Sequence, residues 1–281
     1  MEGLYNVWKN NSTIGNTSWT LTGSSVAGIR TAFQIPELRI QLDAGHQSFN
    51  KTSVIFITHS HADHIASLSL IILENISDKI ITTVYCPKES KSLIENMIGS
   101  FLMCNYQSSY IPKKYINIIG LEPGYLIDLK LNKQNIRLQS FYSDHNVITL
   151  SYGFIEKKKK LKEEYQGLSG KEIVELKSQG MEITKIVENK KLVFCGDTSI
   201  NIFEMNPDIL SYDNIVIECT FFDEDDLKLA QDRKHMHWFQ LKEVVLKNPD
   251  INFYLIHISA KHHNSDYLNS IIEGYNNVFI L

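Results

Sequence analysis

The sequence predicts an α/β fold. Two observations carry that reading. Short β-type runs alternate with amphipathic helical runs along the chain, and 281 residues, 43% of them hydrophobic and 10% aromatic, suffice to bury a substantial core.

In chain order, Leu38, Ile40 and Leu42 alternate with Arg39, Gln41 and Asp43, as a half-buried strand over 38–42 does before a turn at Gly45. Val54-Ile55-Phe56-Ile57-Thr58 reads as a short apolar strand. A helical stretch over 65–73 and a β-type run over 80–85 follow, and Pro87 opens a helix reaching roughly Met103. Further strands are expected at 136–141, 148–155, 192–195, 215–219 and 252–256, with helices near 238–246 and 266–273. No repeat of the solenoid or propeller kind is visible.

One segment breaks the composition. Residues 156–191 are rich in Lys and Glu, begin Glu156-Lys157-Lys158-Lys159-Lys160, and are punctuated by Gly167, Gly170 and Gly180. They read as an inserted arm carrying a short helix, 171–178. The lysine run suits either a solvated face or a small basic contact for a polyanion.

Composition excludes some classes. A formal net charge of −4 does not suit a protein that coats nucleic acid, so any such contact is local or metal-assisted. The cysteines Cys86, Cys104, Cys195 and Cys219 are widely spaced and form no CxxC pair, which argues against a disulfide framework or a thiolate zinc site. The opening MEGLYNVWKN lacks the charged and apolar regions of a secretory signal, and no apolar run is long enough to span a bilayer. An intracellular protein, cytoplasmic or nuclear and without a membrane partner, is expected.

The strongest chemical signal is His59-Ser60-His61-Ala62-Asp63-His64, directly after an apolar strand. Imidazole nitrogens and carboxylate oxygens are zinc ligands. Residues two apart in an extended segment project the same way, so His59 and His61 can grip one ion. Asp63 and His64, at the start of a helix, can face a second. Further ligands are expected at strand ends: His145, Asp197 after Gly196, and His257. Packing a core does not call for such a set, and burying it unpaired is costly.

These motifs resemble those of the metallo-β-lactamase superfamily, and more narrowly the short-form ribonuclease Z family (tRNase Z, the tRNA 3′-processing endonucleases). The resemblance runs from about Ala27 to the C-terminus. His145-Asn146-Val147 with Ser151-Tyr152-Gly153-Phe154 resembles the family's His…S-x-G-Y-x-F, and Gly196-Asp197-Thr198 its G-D-T. Ile217-Glu218-Cys219-Thr220-Phe221 sits where the family has H-E-A-T-F, and Arg233-Lys234-His235-Met236-His237 where it has R-G-H-S-T. His257-Ile258-Ser259-Ala260-Lys261 sits where it has H-F-S-x-R, and 164–170 resembles the arm of short plant-type members.

The resemblance implies a four-layer αββα sandwich, here one domain over 1–281 with 156–191 as an exosite-like arm. It implies two zinc ions, one held by His59, His61 and His145, the other by Asp63, His64 and His257, with Asp197 bridging. It implies tRNA 3′-trailer cleavage by a metal-activated water, with Asp63 orienting that water. His235, oriented by Glu218, would protonate the leaving group; His237 is the rival for that role. Asp43 matches a position supporting the metal loop. Lys157, Lys158, Ser259 and Lys261 are candidate substrate contacts, precursor tRNA the expected partner, and a homodimer the expected assembly. The chain departs from the family in lacking the Ser-Thr pair after His235, in having Lys261 for arginine, in its short arm, and in lacking the P-x-K-x-R-N loop around 23–31. With the metals kept, the other readings are a general nuclease or a hydrolase of a β-lactam or thioester; without catalysis, an RNA-binding relative.

Overall fold

The computed structural model describes residues 11–47, 50–262 and 265–281, so the opening segment read above for a targeting signal lies outside the described residues. One seven-stranded sheet runs β1 (Asn11–Thr13), β2 (Thr20–Val26), β3 (Arg30–Ile35), β4 (Ile40–Leu42), β5 (Val54–Phe56), β6 (Thr82–Pro87), β7 (Ile116–Leu121). The other starts at its far edge with β8 (Leu126–Leu131) and continues β9 (Gln134–Ser143), β10 (Thr149–Leu161), β11 (Thr184–Phe194), β12 (Asn214–Glu218), β13 (Asn252–Ile256), β14 (Val278–Ile280). In each sheet the first four strands pair antiparallel and the rest add on in parallel. The two halves of the chain thus share one topology that the sequence does not show as a repeat.

Strand side chains alternate between faces, and parallel strands have both faces covered. Phe56, Phe194, Val216 and Tyr254 therefore point between the sheets, where they meet Phe33, Tyr152 and Phe154. Their chain neighbours point outward. Ile55 and Ile57 pack with Ile72 and Ile98 of the helices α2 (Leu68–Ser77) and α3 (Lys91–Tyr106). Val193, Ile215 and Leu255 pack with Trp238, Leu241 and Leu268 on the opposite side. The result is the αββα sandwich. A ring such as Phe56, fully buried against Tyr85, Tyr152 and Phe154, contributes roughly 1.5–3 kcal/mol by burial.

Several expectations are corrected. Pro87 ends β6 instead of opening a helix; a 3-10 turn, Lys88–Ser90, precedes α3. The stretch expected to be helical over 65–73 splits into α1 (Ala62–Ile65) and α2, because Ala44 N donates to His64 O and Ser67 N to Ala44 O, pinning the chain to the end of β4. The strands expected to end at 155 and begin at 192 run on as an antiparallel ribbon, Ile155–Leu161 against Thr184–Lys190. Much of the ribbon faces solvent, so no apolar alternation marks it in the sequence. At its tip, α4 (Gly170–Ser178) begins one residue early, held by a Ser169–Glu172 capping box.

Candidate metal centre

The site lies at the carboxyl ends of the parallel strands of both sheets, where open α/β sheets place their ligands. β5 delivers His59, α1 delivers Asp63 and His64, and the turn between β9 and β10 delivers His145. β11, β12 and β13 deliver Asp197, Glu218 and His257. Gly196 is needed for space: a Cβ there would lie 2.8 Å from Thr58 Cβ and 3.0 Å from Leu150 O, while its φ is not positive. Crowding, not a left-handed backbone, is what requires the glycine. Two site residues are themselves in the left-handed region, Asp43 (φ 56) and His257 (φ 57). Such strain persists where the surroundings over-determine it, here by the contacts of both side chains and by Ser25 Oγ accepting from His257 N.

The seven sequence-predicted ligands converge in two adjoining groups, His59, His61, His145 and Asp197 in one and Asp63, His64 and His257 in the other; a third group, Asp197, His235 and His257, links them. His61 Nδ1 lies 3.0 Å from His59 Nε2 and 3.3 Å from His145 Nε2, and Asp197 Oδ2 lies 3.7 and 3.9 Å from those two Nε2 atoms. In the second group, Asp63 Oδ2 lies 3.6 Å from His64 Nε2 and 3.3 Å from His257 Nε2. Asp197 faces this group too, with Oδ1 3.4 Å from His64 Nε2 and Oδ2 3.3 Å from His257 Nε2.

The donor set fits metal ions. Four of the five histidines have their outer nitrogen occupied: His59 Nδ1 by Thr58 Oγ1 at 3.0 Å, His64 Nδ1 by Asp43 at 2.8 Å, His145 Nδ1 by Lys234 O at 3.3 Å, His257 Nδ1 by Thr220 Oγ1 at 3.0 Å. That pattern aims the inner nitrogens and sets their tautomers. His64 Nε2 is buried and has no hydrogen-bond partner among the described residues. Burial and neighbouring histidines hold His59 well below the ordinary imidazole value, and so neutral. Asp197 is held well below the carboxylate range; burial opposes this, but His257, His64 and His59 outweigh it.

Beside the centre, His235 Nδ1 lies 2.7 Å from Glu218 Oε1, and Glu218 is fully buried. Burial disfavours the charged ring, but the Glu218 carboxylate, with Asp197 and Asp63 beyond, raises His235 to about 9. In metal-free protein this linkage favours folding fully below the ordinary imidazole value and is lost as pH rises through about 9. Glu218→Gln should therefore move the His235 titration downward. An NMR titration of the metal-free protein checks this, and an unmoved midpoint would discard Glu218 as the cause.

His237 is placed elsewhere. Its Nδ1 accepts from Phe239 N as the cap of the helix Trp238–Lys247, and its Nε2 donates to Asp223 O at 2.9 Å. It is a buried cap, not the exposed residue a helix start suggests. Cys195 and Cys219 are buried, and both lie in the core beneath the helices.

Of the candidate substrate residues, Lys157 pairs with Asp128 at 2.7 Å and Lys158 with Glu156 at 2.7 Å. The period of the ribbon puts them on opposite faces, so the lysine run does not form one basic patch. Lys261 is ion-paired with Asp226, and Ser259 is half-buried in the loop after β13. Sequence reasoning missed Thr58, Thr220, and Gly28, whose N–H donates to Asp63 Oδ2 at 2.9 Å. Thr58 carried a signal, a hydroxyl closing an apolar run.

The family model described as beta-lactamase superfamily domain matches residues 28–258. Fold and centre together define a metal-dependent hydrolase of that superfamily. The chain is 30% identical over 251 residues to tRNase Z TRZ1 of Arabidopsis thaliana, covering 87% of this chain and 86% of that protein. It belongs to the ribonuclease Z family, and is thereby an enzyme of the endoribonuclease class. Solved structures share the fold. The metallo-beta-lactamase fold protein YhfI from Bacillus subtilis superposes with a TM-score of 0.61 at 12% identity, covering 92% of this chain and 94% of that one. Human tRNase Z, short form, gives 0.52 at 13% identity, covering 96% and 92%. No helix among the described residues is long and apolar enough to cross a membrane.

Proposed function

We propose that this chain is a zinc-dependent endoribonuclease that removes 3′ trailers from precursor tRNA inside the cell. His59, His61 and His145 would hold one ion, and Asp63, His64 and His257 the other, with Asp197 between them. Bound zinc would supply charge stabilisation at the phosphoryl oxygens and a more acidic water. Asp63 would orient that water and accept its proton.

The observation that carries the reading is the Glu218–His235 pair, 2.7 Å apart at the edge of the centre. An RNA leaving oxygen is strongly basic and needs a proton as the P–O bond breaks. Glu218 fixes the proton on His235 Nδ1 and keeps the ring charged, so that Nε2 can donate. A hydrolase of thioesters, whose thiolate leaves without a proton, has no such need.

His235→Ala should lower precursor-tRNA cleavage roughly 10²- to 10⁴-fold, the range of a lost general acid. It should leave an activated phosphodiester, whose leaving group needs no proton, within a few-fold. Generic single-stranded RNA and a chromogenic β-lactam complete the panel, with Asp63→Ala as the inactive control. Faster turnover of the β-lactam than of RNA would sink the reading.

Residues 1–281 as one domain, with 156–191 as an RNA-gripping arm, and a homodimer belong to the same proposal. Leu93, Phe101, Met103 and Tyr106 of α3 are exposed, and light scattering would test whether two copies associate.

A further inference from the structure

Thr220 sits between a predicted metal ligand and the predicted acid. Its hydroxyl oxygen is 2.6 Å from Glu218 Oε2, 3.0 Å from His257 Nδ1 and 3.4 Å from His235 Nδ1. The residue is buried, and its carbonyl accepts from Ser259 N at 3.1 Å, which ties the ends of β12 and β13 together.

We propose that Thr220 is a positioning residue whose single hydroxyl proton sets the ring tautomer of His257 and completes the carboxylate that orients His235. The inference rests on the functional reading above. A hydroxyl has one proton and two lone pairs, whereas a carboxylate only accepts. Three donors converge on Glu218: Thr220 Oγ1 at Oε2, and His235 Nδ1 and Thr198 N at Oε1, the last two at 2.7 and 2.9 Å. With its proton committed to Glu218, the Thr220 oxygen can only accept from His257. The His257 proton is therefore on Nδ1. That leaves Nε2 bare, 3.3 Å from both Asp63 Oδ2 and Asp197 Oδ2, where a ligand nitrogen is needed. The His235 Nδ1 proton is likewise held by Glu218, so the proton on Nε2 is the one left to give. The two rings stack at 5.4 Å and 20°, so they are held as a pair.

Removing the hydroxyl frees His257 to place its proton on Nε2, where it cannot ligate. It also leaves Glu218 Oε2 buried without its donor. Loss of a group that orients a metal-binding histidine weakens metal affinity roughly 10- to 100-fold.

The test compares Thr220→Val, which deletes the hydroxyl, with Thr220→Ser, which keeps it. Zinc affinity is measured by competition with a chromogenic chelator, and ring tautomers by long-range ¹H–¹⁵N NMR of the metal-free protein. Thr220→Val should bind zinc about 10- to 100-fold more weakly and show mixed His257 tautomers, while Thr220→Ser stays within a few-fold of wild type. Thr220→Val with wild-type affinity and tautomers overturns the inference. So does Thr220→Ser failing as badly as Thr220→Val, which would make the role packing alone. Should Thr220→Val not fold, the wild-type His257 tautomer and the Thr220→Ser affinity still decide it. None of these readouts uses RNA. A wild type that shows the Thr220 effect but cleaves no RNA defeats the functional reading and leaves this inference standing.

Discussion

Asp197→Ala is expected to strip both groups of their metal and to lower phosphodiester cleavage by more than about 10⁴-fold. Among the described residues, Asp197 is the carboxylate that reaches inner nitrogens of both groups: 3.7 Å to His59, 3.9 Å to His145, 3.4 Å to His64 and 3.3 Å to His257. Without it, five closely packed imidazoles confront one another, and Asp63 is the ligand carboxylate left to balance bound cations. Bound metal makes its water far more acidic, so losing both ions removes far more than one acid's contribution. The side chain is also a main cause of the raised His64 value, so His64 should titrate lower in the variant. Metal stoichiometry by mass spectrometry, with circular dichroism to confirm folding, reads the result. Retention of two ions with activity within tenfold of wild type would refute the bridging role.

Gly45→Ala is expected to destabilise the metal-free protein by about 3 kcal/mol or more, at the upper end of overpacking costs. A Cβ at Gly45 would lie 1.8 Å from Asp63 O, 2.6 Å from Asp63 C and 2.7 Å from Thr31 N. All three are backbone atoms, so no side chain can swing aside. The loop cannot retreat easily either, because Gly45 N donates to Thr31 O at 2.9 Å and Ala44 N to His64 O at 2.7 Å. The chain must part from α1, carrying Asp63 and His64 with it, so zinc affinity should fall as well. Gly170→Ala, with open space around its Cβ, is the control and should stay within about 0.5 kcal/mol of wild type. Chemical denaturation of both variants checks this, and a Gly45→Ala cost below about 1 kcal/mol would show that the loop yields.

Gly45 shows where sequence reading reaches its limit. The sequence marks it as a turn after an alternating strand, whereas the structure gives a different cause, the passage of the metal helix across its face. Gly196 repeats the lesson against Thr58 and Leu150. A crowded Cα is a property of two distant segments, so no local pattern reports it. The choice between His235 and His237 is similar. They are two residues apart in the same loop, and only the partner of each ring separates them: Glu218 for one, the start of a helix for the other. The lysine run left two readings open for the opposite reason. Its charges are adjacent in sequence, but a ribbon of period 2 divides them between faces, and Asp128 and Glu156 pair with the first two.

By itself, the sequence determined the α/β class and, through its motifs, the family. It also marked the metal-ligand candidates, because liganding residues crowd into one short run and then recur at the ends of apolar strands, a pattern that packing does not produce. Only the tertiary structure decided how those residues are aimed. The outer contacts of Thr58, Asp43, Lys234 and Thr220 orient the four rings they touch, and each but one comes from a segment distant in sequence from the ring it holds. Orientation depends on hydrogen bonds between chain segments that meet only when both sheets have closed, and so it is written in no single stretch of residues.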